Sequence, residues 1–417
     1  MDRRSAYGGA VIAAVLVASF ALQRLAHGVQ VTKVKLHRAP KEEPRALIDT
    51  PLQAEPARVS IGRALFFDAS LSEPAGTSCA SCHDPKQGYA GDNGSDLGTP
   101  RGSRGGHYAR RSTPSVLYLR FVRRMHMVWD DDSELPEAFG GFFWDGRADS
   151  IAELVRQPML NPDEMGTRGV HQVTSKIARA RYADALRAEF DDAFANDERT
   201  MRAIGLCLEA FLTSRALSPF SSKYDDYVRG TSQLTAREAR GLALFRDMDK
   251  GACSACHRLD PSSGLPESSM FTDYGYDIVA VPRNRALPHN RDAKHFDLGL
   301  CEREDPRMHT DDPWYCGAFR TPSLRNVALR RHFMHNGVFT SLHEVVRFYA
   351  TRSTEPARWY GTHKFDDLPS RHHKNVNADM PPYNQPEGES PRLDEDEIDA
   401  IVAFLQTLTD RDIPGAN

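Results

Sequence analysis

The sequence predicts a mainly α fold built as two related modules with long loops and little sheet. Three observations carry this expectation. Apolar residues recur at helical spacing behind capping residues, whereas few segments show the strict alternation of a half-buried strand. Long stretches rich in Gly, Pro and Asp separate these helical segments. The chain also repeats itself weakly: Gly62-Arg63-Ala64-Leu65-Phe66 is echoed by Gly241-Leu242-Ala243-Leu244-Phe245, and Arg111-Ser112-Thr113-Pro114-Ser115 by Arg320-Thr321-Pro322-Ser323.

In chain order, Met1-Asp2-Arg3-Arg4 and the apolar run from Tyr7 to Leu22 read as the charged and hydrophobic parts of a bacterial export signal, assigned to residues 1–28. No small-x-small cleavage site follows, so the same residues also describe an uncleaved N-terminal anchor. Either way the bulk of the chain is expected in the periplasm. Residues 45–230 should form the N-terminal module and 231–412 the C-terminal one, with Ser232-Gln233-Leu234 at the boundary. Thr235-Ala236-Arg237-Glu238 is a capping box that should start a helix reaching Phe245. A second helix should begin near Asp394, with Glu397 three residues on and Ile398, Ile401, Val402 and Leu405 on one face. Its expected packing partner is the second module.

Of the seven cysteines, Cys207 lies in the apolar helical stretch from Met201 to Leu217 and reads as a buried, inert thiol. Cys301 and Cys316 flank a polar, Pro-containing loop and could pair in an oxidising compartment, although spacing does not fix the geometry. The formal charge of -4 is small for 417 residues and the basic residues are scattered, which argues against nucleic acid as a partner.

The other four cysteines form Cys79-Ala80-Ser81-Cys82-His83 and Cys253-Ser254-Ala255-Cys256-His257. This is the spacing of c-type haem attachment, in which two thiols form thioethers with the vinyl groups and the adjacent imidazole ligates iron. A zinc ribbon needs two neighbouring Cys pairs and no His after each. The two modules are therefore read as cytochrome c-like haem domains carrying two covalently bound haem c groups. Each motif supplies one axial ligand, His83 or His257, so the opposite face of each iron decides the chemistry.

Phe143-Trp144-Asp145-Gly146-Arg147-Ala148, Asn161-Pro162-Asp163-Glu164-Met165-Gly166, Arg320-Thr321-Pro322-Ser323-Leu324-Arg325-Asn326-Val327 and Met334-His335-Asn336-Gly337 resemble the bacterial di-haem cytochrome c peroxidase and MauG family. The likeness runs in consistent order from about Val59 to Asp410, leaving a loop around Ser353 to Glu389 unmatched. It implies a peroxide-reactive N-terminal haem on His83 and an electron-relay C-terminal haem on His257. By the same resemblance Trp144 stands between the haems and Glu164 is the distal carboxylate, although Asn161-Pro162-Asp163-Glu164 also looks like a helix N-cap. Where the family usually has a distal glutamine this chain has Leu154. His107 is offset from the place of a distal histidine and reads as a loop residue. Tyr349 occupies the position of the relay iron's distal ligand, as in the MauG branch. A calcium ion between the haems is a further implication, with Ser112 at the side-chain position and the carbonyls of Arg330 and His332.

The leading functional expectation is thus a periplasmic di-haem enzyme, MauG-like, that uses hydrogen peroxide to oxidise a protein substrate through high-valent haem iron. The alternatives are a cytochrome c peroxidase that detoxifies peroxide with electrons from a small cytochrome, and a non-enzymatic electron carrier. The loops 261–288 and 356–391 are candidates for a docking surface, with plain solvated loops as the alternative.

Overall fold

The computed structural model describes residues 56–129, 136–303 and 313–413. The export signal or anchor read into residues 1–28 lies outside them. Helices form where the sequence carries both a cap and an apolar face. Thr235 and Asp394 cap Ala236–Arg246 and Glu395–Gln406 through reciprocal boxes with Glu238 and Glu397, at the positions the sequence marks. Asn196 caps Asp197–Leu212, whose Cys207 is fully buried with its thiol pushed up to about 12 by that burial. That thiol is inert, as expected. The other long helices are Pro56–Phe66, Ile151–Leu160 and Leu342–Thr351.

Sheet among the described residues is confined to two short antiparallel pairs. His126–Val128 pairs with Glu137–Phe139, His126 opposite Phe139, and Tyr276–Asp277 pairs with Phe319–Arg320, Tyr276 opposite Arg320. The fold is mainly α, as the periodicity predicts. No described helix is long and apolar enough to cross a membrane.

The repeated Gly-x-Ala-Leu-Phe sequence has a packing cause. Pro56–Phe66 lies against Asp197–Leu212, and Ala236–Arg246 lies against Glu395–Gln406. A Cβ on Gly62 would collide with the Cys207 carbonyl oxygen, and one on Gly241 with that of Ala400. Only glycine allows each backbone to come so close. The Leu and Phe that follow are then buried: Leu65 and Phe66 join Ile204, Leu208 and Phe211 in one hydrophobic cluster, and Phe245 joins Phe271, Phe348, Ile401 and Phe404 in another. A third, smaller cluster of Met125, Ala138, Ile278, Leu300 and Ala318 lies beneath the β-pairs. Beside it the Cys301–Cys316 disulfide is formed, with 4.8 Å between the Cα atoms.

Two buried polar knots tie distant segments together. Asp410 accepts from the Tyr118 hydroxyl at 2.7 Å, from Asn326 Nδ2 at 2.6 Å and from the Ser221 amide at 2.9 Å. Arg325 forks onto Asp225, both Nη atoms lying 3.0 Å from Oδ1, and neither side chain is more than 1% exposed. Removing one partner of such a pair strands the other charge in a low-dielectric interior. Asp225→Ala in the haem-loaded protein should therefore cost about 3–5 kcal/mol, read as a lower denaturant midpoint. An unchanged midpoint would show that the carbonyls of Ser269 and Pro266, which Arg325 also reaches, suffice to hold the guanidinium.

Candidate active site

Each CxxCH motif opens onto a cavity. The first, about 400 Å³, has Cys79, Cys82 and His83 in its wall, and the second, about 200 Å³, has Cys253, Cys256 and His257. His83 Nδ1 lies 3.1 Å from the Tyr89 carbonyl oxygen and His257 Nδ1 lies 2.9 Å from that of Phe271. With Nδ1 donating to a carbonyl, Nε2 is left as the ring's free donor of an electron pair, the tautomer that binds a metal. Burial pushes both imidazoles down to about 4, so both are neutral and able to ligate. The carbonyls of Pro114 and Pro322 also bear on these rings, so the repeated Thr-Pro-Ser sequence supports the ligand in each half.

The four thiols are free, and burial pushes Cys79 and Cys253 up to about 12. Among the described residues no three His, Cys, Asp or Glu side chains converge as a metal cage. Paired thiols, a neutral imidazole and an adjoining cavity fit haem c at both motifs.

The first cavity's wall also includes Leu154, Pro158 and Glu164. Asn161-Pro162-Asp163-Glu164 does not start a helix: Asn161 is the C-cap of Ile151–Leu160, and the chain turns back so that Gly166 N donates to the Asn161 carbonyl at 2.8 Å. That turn carries Glu164 into the cavity wall, where Asn161 Nδ2 holds its Oε1 at 2.8 Å. Burial raises the carboxyl's pKa above the ordinary range, against the opposing pull of Arg147 and of this hydrogen bond. His107 is not in this wall. It is exposed, with Nδ1 2.7 Å from Asp163 Oδ1.

Trp144, which is 8% exposed, and Arg320 stand in the walls of both cavities. The indole Nε1 donates to the Ser112 carbonyl at 2.8 Å, and the Arg320 amide donates to the Trp144 carbonyl at 2.8 Å. Beside them Arg111 bridges Asp145 at 2.5 Å and Asp297 at 2.7 Å. The pull of Arg111 and Arg110 outweighs burial and holds Asp297 well below the usual carboxylate range. Arg111 and Arg320 open the two copies of the repeated motif, and Arg320 also heads a segment that carries the family resemblance.

Tyr349, on Leu342–Thr351, lies in the second cavity's wall together with His257, its phenol pushed above the ordinary range by burial. Its ring is 6.0 Å from Tyr383, and Arg352 stacks 3.7 Å over the latter. Met334 and Met380 are in the same wall, and the sequence reading had not singled them out as site residues. The loops 261–288 and 356–391 supply much of it, through residues such as Ile278, Val281, Leu368 and Met380. The residues read for calcium are engaged otherwise: Ser112 Oγ donates to the Met334 carbonyl at 2.6 Å, and Arg330 Nε donates to the His332 carbonyl at 3.2 Å.

A sequence profile described as di-haem cytochrome c peroxidase matches residues 56–233. The chain is 33% identical over 378 residues to the methylamine utilization protein MauG of Paracoccus denitrificans, covering 86% of this chain and 90% of that protein. It is 28% identical to the cytochrome c551 peroxidase of Pseudomonas aeruginosa over 69% of each. The crystal structure of the di-haem peroxidase BthA from Burkholderia thailandensis matches with a TM-score of 0.84 at 45% identity, covering 89% of this chain and 90% of that one. A tyrosine-to-methionine variant of that enzyme matches at 0.83, with 46% identity over 86% and 87% of the two chains.

Since His107 is not in the first cavity's wall and is bonded to Asp163, His107→Ala should leave the absorption spectrum of the ferric holoprotein unchanged. A shifted spectrum would place the imidazole on the iron.

Proposed function

The chain belongs to the di-haem cytochrome c peroxidase family, and we propose that within it this protein takes the MauG-like part: in the periplasm, it uses hydrogen peroxide to oxidise a side chain of another protein at a distance. Peroxide is reduced to two waters and the protein substrate gives up two electrons and two protons. The observation that carries this reading is Trp144 in the walls of both cavities, which joins them by one aromatic ring.

On this reading residues 45–230 form the peroxidatic half and 231–412 the relay half. His83 with Cys79 and Cys82, and His257 with Cys253 and Cys256, would hold two haem c groups, whose irons supply the redox exchange with peroxide. Glu164 takes the proton from the near oxygen of peroxide and returns it to the far oxygen, so that the O–O bond breaks with water as the leaving group. Its raised pKa keeps it closer to the working pH than an exposed glutamate and makes it a better proton shuttle. Leu154 in the same wall offers no hydrogen bond, so this task falls on the carboxylate. Trp144 passes electrons between the halves, and Tyr349 would offer the second iron a hard anionic oxygen that favours the oxidised state.

The relatives are peroxide-using oxidoreductases, which sets aside the plain electron carrier. Met334 and Met380 in the second cavity's wall favour one other reading, a peroxidase that draws electrons from a small cytochrome, because a thioether ligand stabilises the reduced iron.

Mixing peroxide with the fully ferric holoprotein tests these roles. Glu164→Gln, which keeps the shape and removes the shuttle, should slow the reaction by about 10²- to 10⁴-fold. The parent rate should also rise with pH through a value above the ordinary carboxylate range, since only the ionised form accepts the proton. A parent-like rate in Glu164→Gln would assign the proton to another group.

Tyr349→Phe should change the second haem's absorption bands and raise its potential, and the ferric parent should react without prior reduction. If the variant's bands and potential match the parent, the tyrosine is a core aromatic and the methionine reading takes its place.

A further inference from the structure

Arg330, half-buried, is bonded differently from the arginines around it: even Arg352, which is almost fully buried and has no carboxylate either, spends both Nη groups on the Val279 and Asn377 carbonyls and stacks over Tyr383. Arg111 pairs with Asp145 and Asp297, Arg325 with Asp225, Arg283 with Asp367, and Arg303 with Asp149. Arg330 pairs with no carboxylate among the described residues, and burial alone pulls its guanidinium down to about 10. Its one hydrogen bond within the described chain is Nε to the His332 carbonyl, which leaves both Nη groups without a protein acceptor. A cation drawn largely out of water without a counter-charge is costly, and its free Nη groups face the cavity space that it lines.

The location supplies the partner. Arg330 lines the second cavity and also a small cavity, about 50 Å³, that borders both large ones and shares Trp144 and Arg320 with them. It stands close enough to His83 to depress that imidazole further. A positive charge therefore already sits between the two sites, in the region where the resemblance implies a calcium ion.

The donor set there does not suit calcium. That ion wants six to eight oxygens, carboxylates usually among them. Ser112 uses its hydroxyl as a donor to the Met334 carbonyl and its own carbonyl as the acceptor of the Trp144 indole. The His332 carbonyl accepts from Arg330 itself. Asp92, the carboxylate next to His332, accepts the Gly94 amide at 3.0 Å on one oxygen; its other oxygen makes no hydrogen bond, but its charge is balanced by Arg331 at 3.4 Å, and it is a single carboxylate where calcium would need several oxygens.

We propose that this protein binds no calcium between its haem sites: the Arg330 guanidinium takes the place of the metal, and its counter-charge is a propionate carboxylate of the haem in the second cavity. This rests on haem c occupying that cavity, and not on which substrate is oxidised. A guanidinium fork matches a carboxylate with two parallel hydrogen bonds, which a spherical ion bound through waters does not do. The side chain cannot be chelated away, so the linkage between the two sites should be insensitive to metal-binding agents.

The test uses holoprotein and no turnover. After equilibration with calcium and dialysis into calcium-free buffer, atomic emission should find no stoichiometric calcium, and EGTA should alter neither haem's spectrum nor potential. One calcium per chain, removed by EGTA with a change in the spectrum, overturns the proposal. Arg330→Gln should shift the second haem to lower potential, because loss of a nearby positive charge favours Fe(III), whereas Arg330→Lys should restore most of the difference. A Gln variant at the parent potential also overturns it. Should the variants fail to take up haem, the calcium measurement on the parent decides by itself. Both measurements are independent of peroxide reactivity, so failure here and failure of the MauG-like reading are told apart.

Discussion

The hydrogen bond from the Trp144 indole to the Ser112 carbonyl, with the reverse bond from the Arg320 amide to the Trp144 carbonyl, is the constraint around which the site is arranged. It joins the two copies of the repeated motif through one residue. The Arg320 bond fixes the Trp144 backbone and the Ser112 bond fixes its indole, so the ring is held from both halves. Arg111, adjacent to Ser112, adds a second lock by bridging Asp145 and Asp297. These ion pairs are largely shielded from water, so they are weakly screened and directional. Pre-organisation of this kind removes conformational freedom before any reactant arrives.

Much of the architecture was legible because its causes are local. A CxxCH motif needs five neighbouring residues, a capping box needs four, and Gly62 and Gly241 announce close helix contact because each heads the same short sequence. What could not be read depends on partners far apart in the chain. Arg111 and Asp297 are 186 residues apart, and nothing near either predicts the other. The resemblance implicates Arg330 only through its backbone carbonyl, whereas in the fold the residue lines the second cavity and the small one beside it. In sequence the loops 261–288 and 356–391 read as a docking surface or as plain solvated loops; in the fold they supply residues to the wall of the second cavity. The Glu164 segment shows the opposite case, where a local rule suggested a helix start and the closing turn after Leu160 prevailed.

The two halves share a scaffold and differ in their polar residues. Both hold a histidine by Nδ1 to a carbonyl, and both use the same glycine-mediated helix contact. The first cavity then receives an acid with a raised pKa. The second receives two tyrosines and, behind one of them, the Arg352 cation, whose Nη1 donates to the Val279 carbonyl at 2.8 Å. A cation over a tyrosine ring opposes the penalty that burial places on phenolate. The two pockets thus share their histidine support and helix contact and differ at a few wall positions, which in the proposed function would separate a proton-handling site from one suited to an oxidised metal.

The surroundings of Trp144 also bear on how charge would cross between these sites in the proposed function. An oxidised indole is a cation that relaxes by losing its Nε1 proton to a base. Here that proton is held by a backbone carbonyl, far too weak a base to take it. Arg320, whose Nε donates to the neighbouring Phe143 carbonyl at 3.1 Å, places a fixed positive charge in the same wall. That charge raises the energy of a positive indole. The arrangement therefore disfavours charge resting on Trp144, while the rigid contact still favours its passage. Oxidising equivalents would be shared between the two metal sites, and the ring that connects them would be protected from its own oxidation.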